Sequence, residues 1–119
     1  MYEIIFYRDR NGRSQIEDQL NELASKAVSS KDARIRFRQM TLYIQLLSDC
    51  GTKLGSSIAK KLRGDIWELR PGDSRILFFH YSKGRFILLH SFVKKTAKTP
   101  QKEIARAMAE RDDWLSREG

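Results

Sequence analysis

Along the chain the apolar positions change period three times, and each change marks a change of element. Residues 2–7, Tyr-Glu-Ile-Ile-Phe-Tyr, form a short β-prone run closed by the turn sequence Arg10-Asn11-Gly12. Ile16, Leu20, Leu23, Ala24 and Ala27 then recur at helical spacing, and Ser14 with Glu17 three residues on has the form of a capping box. After the polar gap Ser29-Ser30-Lys31, Asp32 is the expected N-cap of a second helix. Its inner face carries Phe37, Met40, Tyr43, Ile44 and Leu47, and Gly51 stops it. Two amphipathic helices joined by so short a gap predict a helical hairpin.

From Ile58 the period falls to two. Ile58, Lys60 and Leu62 share a face, Gly64-Asp65 turns the chain, and Ile66-Trp67-Glu68-Leu69-Arg70 returns. In Pro71-Gly72-Asp73 the proline presets φ and the glycine supplies a positive one, so a turn leads into the next strand, residues 75–81. Lys83-Gly84 turns the chain again into residues 86–93. Both of these strands are almost continuously apolar at their centres, the pattern of strands covered on both faces. Thr99-Pro100 reads as N-cap and N1 of a last helix with Ile104, Ala105, Met108, Trp114 and Leu115 inward. The expected fold is α+β: an N-terminal strand and helical hairpin packed on a mainly antiparallel sheet, with a C-terminal helix.

A length of 119 residues fits one domain, 1–119, able to bury a core without disulfide, metal or partner. The lone Cys50 cannot form an internal disulfide and reads as a small buried hydrophobe at a helix end. No Cys/His cluster has zinc-ligand spacing, so no metal and no cofactor are expected. The first apolar run is too short for a signal peptide or a membrane span, which predicts a cytoplasmic protein without a membrane partner.

Charge changes the picture more. The formal net charge is +8, but residues 1–57 carry 9 Lys/Arg against 7 Asp/Glu, residues 58–98 carry 10 against 3, and residues 99–119 carry 4 against 5. An excess confined to the β-rich middle favours a polyanionic partner, RNA above all, over mere solubility. Lys60-Lys61-Leu62-Arg63, Glu68-Leu69-Arg70, Ser74-Arg75 and Lys94-Lys95-Thr96-Ala97-Lys98 put cations at the ends and exposed faces of the predicted sheet. Glu68 and Arg70 share a face. The strand pairing is expected to bring Arg75 and Lys94-Lys95 to the same place.

Any one of these cations is adequately explained as edge protection; one acid, two arginines and two lysines around a point exceed that need. RNA carries its own nucleophile, the 2′-hydroxyl. A metal-free ribonuclease therefore needs a base for that proton, cations for the charged phosphorane and an acid for the leaving 5′-oxygen. Arg70 and Arg75 suit the phosphate, Glu68 is a candidate base or equally a structural partner of the arginines, and Lys94 or Lys95 is a candidate acid. Lys60, Lys61, Arg63 and Lys98 are expected to bind RNA. His80 and His90 follow apolar pairs and read as core histidines, and Trp67 and Tyr81 read as core aromatics.

Lys61-Leu62-x-Gly64, Ile66-Trp67-Glu68-Leu69-Arg70, Arg75-Ile76-Leu77-Phe78-Phe79-His80 and the run from Leu88 to Pro100 resemble the phage-derived Gp49-like branch of the RelE/ParE superfamily, which includes HigB toxins. The resemblance implies a RelE-like fold and a toxin of a type II toxin–antitoxin pair. Such a toxin cuts translated mRNA in the A site of the 70S ribosome, is monomeric alone, and is silenced in a hetero-oligomer by a helix-turn-helix, HigA-like antitoxin. It also implies functional cations at Arg75 and Lys94-Lys95. The resemblance departs at Glu68, where RelE-type members carry a lysine, and near Gln101, where they carry a tyrosine, so the proton carriers stay open. A non-catalytic RNA- or ribosome-binding module and a ParE-like gyrase inhibitor are the alternatives.

Overall fold

The computed structural model describes residues 1–119. The strands are β1 (Glu3–Phe6), β2 (Ala59–Arg63), β3 (Ile66–Leu69), β4 (Ser74–Tyr81) and β5 (Arg85–Val93), and the helices are α1 (Gln15–Lys26), α2 (Lys31–Cys50) and α3 (Gln101–Glu118). The expected order of strand, helical hairpin, strands and helix holds, and the fold is α+β as predicted. The five strands lie in the order β1-β5-β4-β3-β2. Successive strands β2 to β5 pair antiparallel, whereas β1 pairs parallel to β5 at one edge.

Each helix forms and stops for a local reason. Ser14 accepts a hydrogen bond from the Glu17 backbone N–H at 3.1 Å, the predicted cap of α1. Glu17 does not complete the capping box; its carboxylate pairs with Arg8 at 2.8 Å. Helix α2 is capped by Ser30, which accepts from the Ala33 N–H at 3.1 Å, and not by Asp32, which lies exposed in the first turn. Gly51 ends α2 at φ 66°, where a Cβ would stand 2.7 Å from the Tyr2 ring. Cys50, just before it, is exposed, which corrects its reading as a buried hydrophobe.

The sheet is buried on both sides. Met40, Leu47, Ile16 and Leu23 from the hairpin pack with Leu69, Ile76, Phe78, Phe86 and Leu88 on one face. Ala107 and Trp114 of α3 pack with Ile66, Leu77, Phe79, Ile87 and Leu89 on the other. The strand residues of each set alternate, so β4 and β5 are apolar at their centres, as strands between two layers should be. Within α3, Ala105 is exposed and Ala107 takes the inner place. His80, at the end of β4, is also exposed, against the core reading; it packs on the Phe86 ring with centroids 4.6 Å apart.

One irregularity re-aims a functional-looking side chain. Leu77 pairs with His90 while Phe78 pairs with Leu88, so Leu89 is an extra residue in β5. The bulge turns His90 towards α3. There it is fully buried, with Nδ1 2.6 Å from Glu110 and Nε2 3.0 Å from Glu103. This histidine is a core residue, but its partners are two carboxylates that clamp α3 to the sheet. The far end of α3 is held by the Tyr7 hydroxyl, which donates to Asp113 at 2.7 Å, and by Arg117, which donates to the Arg8 carbonyl at 2.5 Å. Burial and the Asp113 carboxylate raise the Tyr7 phenol to about 12. No helix is long and apolar enough to cross a membrane.

Candidate active site

The register of β2, β3 and β4 assembles the site. Lys60 pairs with Glu68, and Glu68 with Leu77, so the acid lies between β2 and β4 on the face that α3 covers. Leu69 pairs with Ile76, and continuing that register sets Arg70 opposite Arg75 across the Pro71-Gly72 turn. Two like charges directly opposed destabilise a sheet. Glu68 offsets them: its Oε2 is 3.5 Å from Arg70 Nε and 3.8 Å from Arg75 Nε.

The three side chains are not equally open. Glu68 is 3% exposed, Arg75 7% and Arg70 27%. Arg75 donates through Nη1 to the carbonyls of Gly72 (2.8 Å) and Ser74 (2.7 Å), while its buried Nε has no hydrogen-bond partner. Burial pushes its guanidinium below the usual range; Glu68 opposes that and Arg70 adds to it. Arg70 donates to the Ser56 carbonyl at 3.0 Å and presents the rest of its guanidinium to solvent. Arg75 thus lies beneath the site, and Arg70 at its surface.

The other Glu68 oxygen, Oε1, accepts from the Thr99 hydroxyl. That bond explains why Thr99 does not cap α3: the N-cap is Pro100, which has no side-chain cap bond. Thr99 is the site residue that sequence reasoning missed, since a hydroxyl before proline reads as a cap. Residues 94–100 cross from β5 to α3 beside Glu68, turned by the Thr96 hydroxyl donating to the Lys98 carbonyl at 2.6 Å. Together these segments enclose a cavity of about 240 Å³ lined by Lys60, Lys61, Glu68, Arg70, Lys98 and Thr99, among others.

The structure therefore brings Glu68, Arg70 and Arg75 into contact and adds Lys60, Lys61 and Lys98, the expected RNA-binding lysines. Arg63 stands apart, donating to the Gln101 side chain. Lys94 and Lys95 do not line this cavity. Lys94 is half-buried, with its backbone N–H on the Asp73 carbonyl at 2.8 Å, and Lys95 lines a neighbouring depression. The cause is the chain's exit from β5 at Val93, which carries the loop past Arg75 before it returns at Lys98. Lys60, Lys61, Lys94, Lys95, Lys98 and Lys102 have no carboxylate within ion-pair distance, so their charge is not neutralised by a neighbour. No group of three or more His, Cys, Asp or Glu could hold a metal ion.

Chemically, the guanidinium and ammonium groups on one cavity suit an anionic ligand, and the carboxylate among them is a potential proton acceptor. No curated protein matches the sequence. The family model for phage-derived Gp49-like proteins (DUF891) matches residues 16–112, from the first turn of α1 through most of α3, and so spans every residue of this cavity. The chain belongs to that Gp49-like family, a family of RelE-type, toxin-like proteins.

Proposed function

We propose that this protein is the toxin of a type II toxin–antitoxin pair, of HigB type, and that it cuts translated mRNA in the ribosomal A site. The observation that carries the reading is the cavity around Glu68, in which Lys60, Lys61, Arg70 and Lys98 surround the one carboxylate among its lining residues. In this reading the 2′-hydroxyl attacks the adjacent phosphorus and the bond to the 5′-oxygen breaks, leaving a 2′,3′-cyclic phosphate and a free 5′-hydroxyl. Arg70 and the lysines stabilise the phosphorane. Glu68 is the proton acceptor on the cavity wall, and Lys98 or Lys60 the donor to the leaving oxygen. Arg75, lacking access, positions Glu68 and Arg70 from below.

A non-catalytic ribosome-binding module needs only the lysines; a carboxylate on the wall of the same cavity, able to take a proton beside Arg70, is what favours catalysis. The test is primer extension on an mRNA translated in a purified system, with and without ribosomes. The wild type is expected to produce new 5′ ends only when ribosomes are present, and Arg70→Ala to reduce them at least about a hundredfold. Equal cleavage by Arg70→Ala would remove the site. Translation arrest without cleavage would leave the binding module, and loss of supercoiling by gyrase with mRNA intact would leave the gyrase inhibitor.

A further inference from the structure

Residues 94–100 form a ridge with a depression on either side. One is the Glu68 cavity over β2 and β3. The other, about 600 Å³, lies against the end of β5 and the start of α3, lined by Phe92, Val93, Lys95, Pro100, Lys102 and Glu103 among others. Val93 is a large apolar residue left 37% exposed at a strand end, Phe92 is half-buried beside it, and Pro100 adds a third apolar wall. Lys95 and Lys102 stand at its rim, both exposed and without a carboxylate partner. The one acid, Glu103, is already engaged with His90 at 3.0 Å.

We propose that this second depression is a nucleotide subsite: a single-stranded RNA crossing the ridge lays a neighbouring base on Phe92, Val93 and Pro100, while Lys95 and Lys102 hold its flanking phosphates. An unpaired base has an apolar face and an anionic backbone, and single-stranded RNA is recognised by such pairing of apolar or aromatic platforms with cations. The volume lies within the range that encloses a ligand of nucleotide size. The lysines on the two sides of the ridge, Lys60, Lys61 and Lys98 on one and Lys95 and Lys102 on the other, make one cationic path on which an extended strand touches both depressions. This inference rests on the reading of the Glu68 cavity as the cleaving site and assigns what lies next to it.

The experiment is steady-state cleavage of ribosome-bound mRNA by the full chain and by Val93→Asp and Lys102→Ala, with thermal unfolding as a check on folding. Both variants are expected to raise KM about fivefold or more, the scale of one stacking or phosphate contact, and to leave kcat within about twofold. If Val93→Asp fails to fold, Lys102→Ala, on the exposed face of α3, carries the comparison. An unchanged KM in the folded variants, or loss of kcat in them, overturns the subsite alone, because cleavage itself persists in the wild type. A wild type that cuts no mRNA overturns the subsite together with the reading on which it rests. An acidic peptide that protects Lys95 and Lys102 from acylation where RNA does not would also overturn it, in favour of a polypeptide ligand.

Discussion

Replacing Glu68 by glutamine keeps the shape of the side chain and its bond from Thr99 while removing the charge between two arginines. Breaking a buried ion pair by neutralising one partner costs about 3–5 kcal/mol. The loss here is smaller, for two reasons visible in the geometry. Arg70 is 27% exposed and regains water, so its share falls to the surface scale of up to about 1 kcal/mol. Arg75 is 7% exposed and cannot, but it keeps its bonds to Gly72 and Ser74. A net destabilisation of roughly 2–3 kcal/mol follows, lowering Tm by about 10 °C in a chain of this size. Urea unfolding followed by the fluorescence of Trp67 and Trp114 measures it. Arg75→Met in the Glu68→Gln background removes the stranded charge and is expected to restore at least about 1 kcal/mol. A Glu68→Gln protein within about 0.5 kcal/mol of wild type, or two strictly additive substitutions, would refute this account of the site.

Two further perturbations probe the frame. Ser30→Ala should cost about 1 kcal/mol of stability and Asp32→Ala less than half as much, because only the Ser30 hydroxyl accepts from the α2 N-terminus; chemical denaturation of both decides it. At high pH, Tyr7 should govern a loss of stability: its phenol titrates at about 12 in the folded chain and near 10 when unfolded. Its contribution is therefore complete below pH 10 and lost as pH rises through 12. Tyr7→Phe should lack that alkaline step, and an identical alkaline slope in both proteins would show that the contact with Asp113 does not set it.

What the sequence disclosed was local. Ser14, Gly51, the Pro71-Gly72 turn and the shift from helical to alternating periodicity each act within a few residues, and each marks an element correctly. Ser30 and Asp32 offer the same cap chemistry two positions apart, and the choice falls to where α1 ends, with the Ser30 N–H on the Lys26 carbonyl at 2.9 Å. Thr99 was illegible for another reason: its partner, Glu68, is 31 positions away in sequence. The grouping of Glu68 with Arg70 and Arg75 followed from strand pairing alone, since alternation and one tight turn define it. Lys94 and Lys95 were set beside them by the same logic, but pairing stops at Val93 and carries no information about the loop beyond. His80 read as core because its neighbours are apolar, although a strand's last residues overhang the layers that bury its centre. The parallel pairing of β1 with β5 and the bulge that turns His90 to α3 depend on contacts that no local pattern encodes.

We propose that the Glu68 cavity breaks RNA through the substrate's own 2′-hydroxyl. This is tested most directly on a ribosome-bound mRNA whose cleavage position has been mapped and which then carries a single 2′-deoxynucleotide on the 5′ side of that bond. Cleavage there is expected to disappear, and the all-ribose message to yield a 2′,3′-cyclic phosphate and a 5′-hydroxyl. Undiminished cutting of the deoxy-substituted message, or products ending in a 3′-hydroxyl and a 5′-phosphate, would contradict it.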